Sequence, residues 1–108
     1  MLDDVLVIAM GEFGRTPNMG TQDSTDGRNH WPVVMSMCLA GGGLRHGQVI
    51  GATEADGGTI KHRPVTPGDL AATIFGRFGL DPATEIHDQN GRPHRLASGE
   101  PIRKLFGA

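Results

Sequence analysis

A chain of 108 residues with a net charge of −2 at pH 7 has room for one small domain and carries no basic run, so the electrostatic footprint of a general nucleic-acid binder is missing. A single cysteine excludes an internal disulfide framework. No apolar stretch is long enough to span a bilayer, and the opening MLDDVLVIAM carries acids where a signal peptide carries bases; these features predict a soluble, unexported chain without membrane or nucleic-acid partners.

The first element is the continuous apolar run Val5 to Ala9, the pattern of a strand buried on both faces of a mainly parallel sheet. It empties into a glycine-rich loop that holds Glu12, Arg15, Arg28 and His30, and ligands in parallel sheets gather beyond the carboxyl ends of strands. Val33 to Ala40 predicts a second strand, inside which Cys38 is expected to be a small core residue. Gly41 to Gly43 then reads as a tight turn rather than a phosphate cradle, since no Lys-Ser or Lys-Thr pair follows. Leu44 to Gly47 bridges to a third strand, Gln48 to Thr53, and Gly57-Gly58 marks a turn.

Thr66 opens the clearest helix. Pro67 suits its first position, Asp69 lies three residues after the cap, Leu70, Ala71, Ile74, Phe75 and Phe78 line one face, and Gly79 is the expected stop. Glu85 to His87 and His94 to Leu96 flank Asn90-Gly91, a dipeptide that closes hairpins or longer excursions, and Ile102 to Phe106 predicts a short terminal helix. His46, His62, His87 and His94 have neither zinc-knuckle nor His-x-x-x-His spacing and are expected on the surface or in the hairpin. Asp23 and Asp26, in TQDSTDG, are turn residues by composition.

Several motifs recur in one order: Glu-Phe-Gly-Arg-Thr-Pro (Glu12 to Pro17), Gly-Arg-Asn-His-Trp-Pro (Gly27 to Pro32), Ala-Gly-Gly-Gly (Ala40 to Gly43), Gln-Val-Ile-Gly (Gln48 to Gly51), Pro-Val-Thr-Pro-x-Asp-Leu-Ala-Ala-Thr-Ile (Pro64 to Ile74) and Gly-x-Pro-Ile-Arg-x-Leu-Phe (Gly99 to Phe106). Together they resemble the C-terminal part of DUF1501 proteins, within the alkaline phosphatase and sulfatase superfamily. The resemblance implies an α/β fold: a partial alkaline phosphatase-like domain with a mainly parallel sheet flanked by helices, residues 1–108 being a C-terminal fragment of one larger domain. It also implies a metal-dependent phosphoric or sulfuric ester hydrolase in which Glu12 and His30 bind a divalent ion such as zinc, manganese or calcium. Asn29 stands where the family usually has aspartate, and Asp26 is placed to act behind His30.

Arg15 and Arg28 suit fork-like binding of phosphate or sulfate oxygens, or else brace the loop through backbone carbonyls. The family's nucleophile and remaining metal ligands come from its N-terminal part, so no catalytic residue is expected in this chain. Cys38 is not in the Cys-x-Pro-x-Arg context of sulfatases. A small phosphate or sulfate ester is the expected partner once the missing part is supplied, and the uncovered strand edges predict self-association. Intact relatives often use the twin-arginine export route, which points to the periplasm. Two other classes stay open: a binding or assembly module with the loop as recognition surface, and a structural remnant of the fold.

Overall fold

The computed structural model describes residues 1–23 and 25–107. In chain order its regular elements are β1 (Leu6–Met10), β2 (Gly14–Arg15), β3 (His30–Trp31), β4 (Met37–Gly41), β5 (Ala52–Thr53), β6 (Ile60–His62), α1 (Pro67–Arg77), β7 (Glu85–His87) and β8 (Pro93–Arg95), with single 3-10 turns at Leu2–Asp4 and Arg103–Phe106. The strands form four separate two-stranded sheets, β1 with β4, β2 with β3, β5 with β6 and β7 with β8, and every pairing is antiparallel.

The expected mainly parallel sheet flanked by helices is therefore overturned, and with it the α/β reading as a partial alkaline phosphatase-like fold. Parallel strands need a crossover of a dozen or more residues, usually a helix. Residues 11–36, which join β1 to β4, are spent instead on the β2–β3 ladder and its loop, and β4 returns antiparallel from Leu6↔Gly41 to Met10↔Met37. Nor is β1 buried on both faces. Leu6 and Ile8 are half-buried, whereas Val7 is 48% and Met10 50% exposed. Cys38 lies opposite Ala9 on this ribbon and is exposed rather than in the core, because period-two alternation turns Leu39 inward and Cys38 outward. The strands expected over Val33 to Ala40 and Gln48 to Thr53 shorten to β4 and β5.

The chain divides into two compact units, Met1–Gly42 with Val49–Pro64, and Gly43–Gln48 with Val65–Ala108. The first unit has no buried hydrophobic side chain among its described residues; what it buries is Thr16, Gly41, Gly42 and Gly58. Its compactness rests on backbone turns and polar contacts. Gly41 and Gly42 both adopt positive φ, and the Gly42 N–H donates to the Leu2 carbonyl at 2.8 Å, the turn that the glycine run predicts.

The second unit holds Leu70, Ala72 and Ala97 as its buried apolar residues. Its helix is built as the sequence predicts at both ends. Thr66 is the N-cap, its hydroxyl accepts the Asp69 N–H at 3.1 Å, and the Asp69 carboxylate accepts the Thr66 N–H at 3.0 Å, a complete capping box. Phe78 closes the helix and Gly79 follows at φ 78°. Of the expected face Leu70 is buried and Ala71, Ile74 and Phe75 are half-buried, but Phe78 is 79% exposed, and Ala72 and Thr73 are buried in addition. Thr73 belongs inside because its hydroxyl has polar work there, donating to the Asp69 carbonyl at 2.7 Å and accepting the Ile102 N–H at 2.9 Å. The other Asp69 oxygen accepts the Glu100 N–H at 3.0 Å, so one carboxylate caps the helix and fastens the C-terminal segment beside it. The expected terminal helix is the 3-10 turn Arg103–Phe106, whose Phe106 ring lies under the Arg77 guanidinium at 4.4 Å.

The Thr66 N–H first, then the Glu100 N–H and the Thr66 hydroxyl, hold the Asp69 carboxyl below the usual carboxylate range. A depressed folded pKa means stability that is present above the unfolded value and is lost as pH falls through the folded one. Helical ellipticity and melting temperature are thus expected to fall on acidification below the ordinary carboxylate range, and Asp69→Asn is expected to flatten that acid limb. At neutral pH, Thr66→Ala is expected to cost about 1 kcal/mol in a denaturant titration followed by circular dichroism.

Candidate functional site

The loop between β1 and β4 folds around one buried side chain. Thr16 is 2% exposed. Its N–H donates to the Asn29 carbonyl at 2.9 Å, its hydroxyl accepts the Asn29 N–H at 3.0 Å and donates to the Asn18 carbonyl at 2.8 Å, and its carbonyl accepts the Arg28 Nε at 2.6 Å. These bonds extend the two-residue β2–β3 ladder, in which Gly14 pairs with Trp31 and Arg15 with His30. Only glycine fits at position 14, since a Cβ there would lie 1.8 Å from the Val34 carbonyl oxygen.

Directly paired residues on antiparallel strands hold their Cβ atoms about 5 Å apart on one face. The register thus brings Arg15 and His30 together, both exposed. Phe13, next to Glu12, supports them: its ring centroid is 3.9 Å from that of His30, tilted by 34°, and the Arg15 guanidinium carbon lies 5.9 Å from the same ring. Arg15 also donates from Nη1 to the Arg28 carbonyl at 3.4 Å. The His30 carbonyl accepts Gln22 Nε2 at 3.1 Å, and Trp31 donates its indole N–H to the Gly58 carbonyl at 2.9 Å. The outer part of the loop is closed by the Gly20 N–H on the Gly27 carbonyl at 3.0 Å and turned by Gln22 and Asp23, both at positive φ.

The structure divides the sequence candidates by what they touch. Arg28 braces the loop through the Thr16 carbonyl, the carbonyl-bonding role that the sequence left open for it. The Asn29 carboxamide bonds to the Thr21 carbonyl, so this residue holds backbone. The Thr21 hydroxyl beside it is buried and has no hydrogen-bond partner among the described residues. Glu12 and Asp26 are exposed. Arg15 and His30 are the two candidates that the fold places side by side. The other four histidines are exposed, and His94 contacts Asp88 in the β7–β8 hairpin at 3.0 Å, as expected for surface and hairpin residues.

Zinc takes four donors, three of them from protein in catalytic sites. Among the described residues no group of three or more histidine, cysteine, aspartate or glutamate side chains is gathered to hold an ion. No helix is long and apolar enough to cross a membrane. The close backbone approach at Gly14 is what a glycine in this loop predicts, whereas Thr16 and Phe13 were not singled out, although Phe-Gly-Arg-Thr contained a signal: a small residue and a hydroxyl flanking the arginine in a tight loop.

A family model described as "Protein of unknown function (DUF1501)" matches residues 1–106, and the chain belongs to that family. No curated protein and no solved structure matches it.

Loss of the Thr16 hydroxyl leaves the Asn29 N–H and the Asn18 carbonyl unpaired, and Thr16→Val is expected to destabilise the loop by about 2 kcal/mol. Trp31 is the chain's single tryptophan and reports on the same loop. Its emission is expected to shift to the red in Thr16→Val and to stay at the wild-type position in Thr16→Ser.

Proposed function

We propose that this chain supplies the oxyanion-contacting arm of a phosphoric or sulfuric ester hydrolase and corresponds to the C-terminal part of such an enzyme in the alkaline phosphatase and sulfatase superfamily. The observation that carries this reading is the cross-strand pair of Arg15 and His30, held on the Phe13 ring and open to solvent. Guanidinium and imidazole side by side present N–H donors to the oxygens of a tetrahedral anion, and the arginine fork matches two of those oxygens at once. The Thr16 bonds fix this geometry ahead of binding, which lowers the ordering entropy an anion would otherwise have to offset. Support comes from residue identities and the loop, and not from the sheet, which differs from that superfamily's.

Glu12 and His30 are in this reading two ligands of a divalent ion whose remaining donors, like the nucleophile, lie outside the chain. The first unit therefore binds but does not catalyse alone. Of the buried hydroxyls among the described residues of this unit, that of Thr16 already serves as both donor and acceptor, and that of Thr21 has no base bonded to it.

Calorimetric titration with inorganic phosphate and with sulfate is expected to give binding that weakens at least about tenfold in Arg15→Ala, the loss of one good charge-assisted contact. Manganese or zinc titration is expected to show weak binding that His30→Ala removes and Arg15→Ala leaves in place. Hydrolysis of a generic phosphate or sulfate ester by the chain alone, abolished in His30→Ala, contradicts the reading, as does wild-type anion binding in Arg15→Ala.

A further inference from the structure

The tip of the β7–β8 hairpin carries chemistry that the candidate site does not use. Asn90-Gly91 lies at the exposed end of the hairpin, between strands registered from Glu85↔Arg95 to His87↔Pro93. Gly91 adopts φ 74°, a conformation that glycine takes without penalty, and a Cβ added there would meet nothing within 4 Å. Residue 91 itself has no side chain to hinder approach of its nitrogen to the Asn90 carboxamide. We propose that Asn90-Gly91 is a self-modification site, at which the Gly91 backbone nitrogen attacks the Asn90 side-chain carbonyl and Asp88 controls how often it can do so.

The step balances without an oxidant or reductant. A bond forms between the Gly91 nitrogen and Asn90 Cγ, the bond from Cγ to the side-chain nitrogen breaks, the amide proton leaves with that nitrogen, and ammonia departs. Water then opens the cyclic imide at either carbonyl, leaving aspartate or its β-linked isomer at position 90. The product gains a negative charge beside Asp88. The isomer also gains one methylene in the main chain, which lengthens the turn and disturbs the register set by Ile86↔His94.

Asp88 holds the tip closed by five contacts, one of them from its N–H to the Arg92 carbonyl at 3.0 Å. Its carbonyl accepts the Gly91 N–H at 3.0 Å, which ties up the proton that must leave before attack. Its Oδ1 accepts the Asn90 N–H at 2.8 Å and the Arg92 N–H at 2.9 Å, and Oδ2 meets His94 Nε2 at 3.0 Å. Attack requires the turn to open, so the folded hairpin slows a reaction that the sequence favours. The other two asparagines with described neighbours lack the permissive residue: Asn18 precedes Met19 and Asn29 precedes His30.

The test is incubation of the purified chain at mildly alkaline pH, with peptide mapping by mass spectrometry to follow conversion at each asparagine. Conversion is expected at Asn90 ahead of Asn18 and Asn29. It is expected to run at least about fivefold faster in Asp88→Ala, which keeps the backbone carbonyl but loses the carboxylate's contacts, a single bond of ordinary strength being worth about that factor in open fraction. Asp88→Asn keeps an acceptor at Oδ1 and is expected to stay near the wild-type rate, and the chain unfolded in urea is expected to be fastest. Conversion of Asn18 or Asn29 before Asn90, or equal rates in Asp88→Ala and the wild type, overturns the proposal.

Discussion

Everything that can be said of the candidate site depends on Thr16. Its backbone and hydroxyl bind Asn29 from both directions, and its carbonyl takes the Arg28 guanidinium. A two-residue ladder such as β2–β3 has too few bonds of its own to persist in water. The Thr16 contacts add a polar clamp on the strand side next to Arg15 and His30, which makes that register, and so that pairing, the one the loop adopts. Buried polar groups are costly when unmet and specific when satisfied. Thr16 is of the second kind.

The two units are held by different physics. In the first, compactness comes from glycine turns, the Thr16 clamp and the Trp31 bond to Gly58, with the apolar ribbon of β1 and β4 only half covered. In the second, a capped helix buries Leu70 and Ala72, and Asp69 and Thr73 fasten the C-terminal segment alongside by binding the Glu100 and Ile102 N–H groups. The parts that hold their shape through satisfied polar atoms are the loop and the helix N-terminus, and in both a Thr hydroxyl accepts a backbone N–H, from Asp69 three residues on in the helix and from Asn29 13 residues on in the loop.

Local chemistry was legible in the sequence where a residue acts on its near neighbours. The Thr66-Pro67-Gly68-Asp69 start, the Gly79 stop, the Asn90-Gly91 turn and the terminal turn at Arg103–Phe106 all follow from spacing and capping rules. Strand direction was not legible. An apolar run such as Val5 to Ala9 looks the same in a buried parallel strand and in an antiparallel ribbon left open on one face, because period and composition say nothing about the partner. Cys38 and Phe78 were placed inside for the same reason: hydrophobicity was visible and the covering layer was not. In the loop, the candidates Glu12, Arg15, Arg28 and His30 could be picked by residue type, but what each side chain touches depended on contacts 12 and 13 residues apart, from the Arg28 guanidinium to the Thr16 carbonyl and from the Arg15 guanidinium to the Arg28 carbonyl.

The most direct test of the Thr16 clamp is hydrogen–deuterium exchange at single amides of the folded chain. The Thr16 and Asn29 N–H groups each have a partner within the clamp, at 2.9 and 3.0 Å. The account predicts that both exchange far more slowly than the amides of Glu12 and Asp26 in the same loop. Exchange of Thr16 and Asn29 at the rate of an unstructured peptide would show that the clamp does not form, and that Arg15 and His30 are not held together.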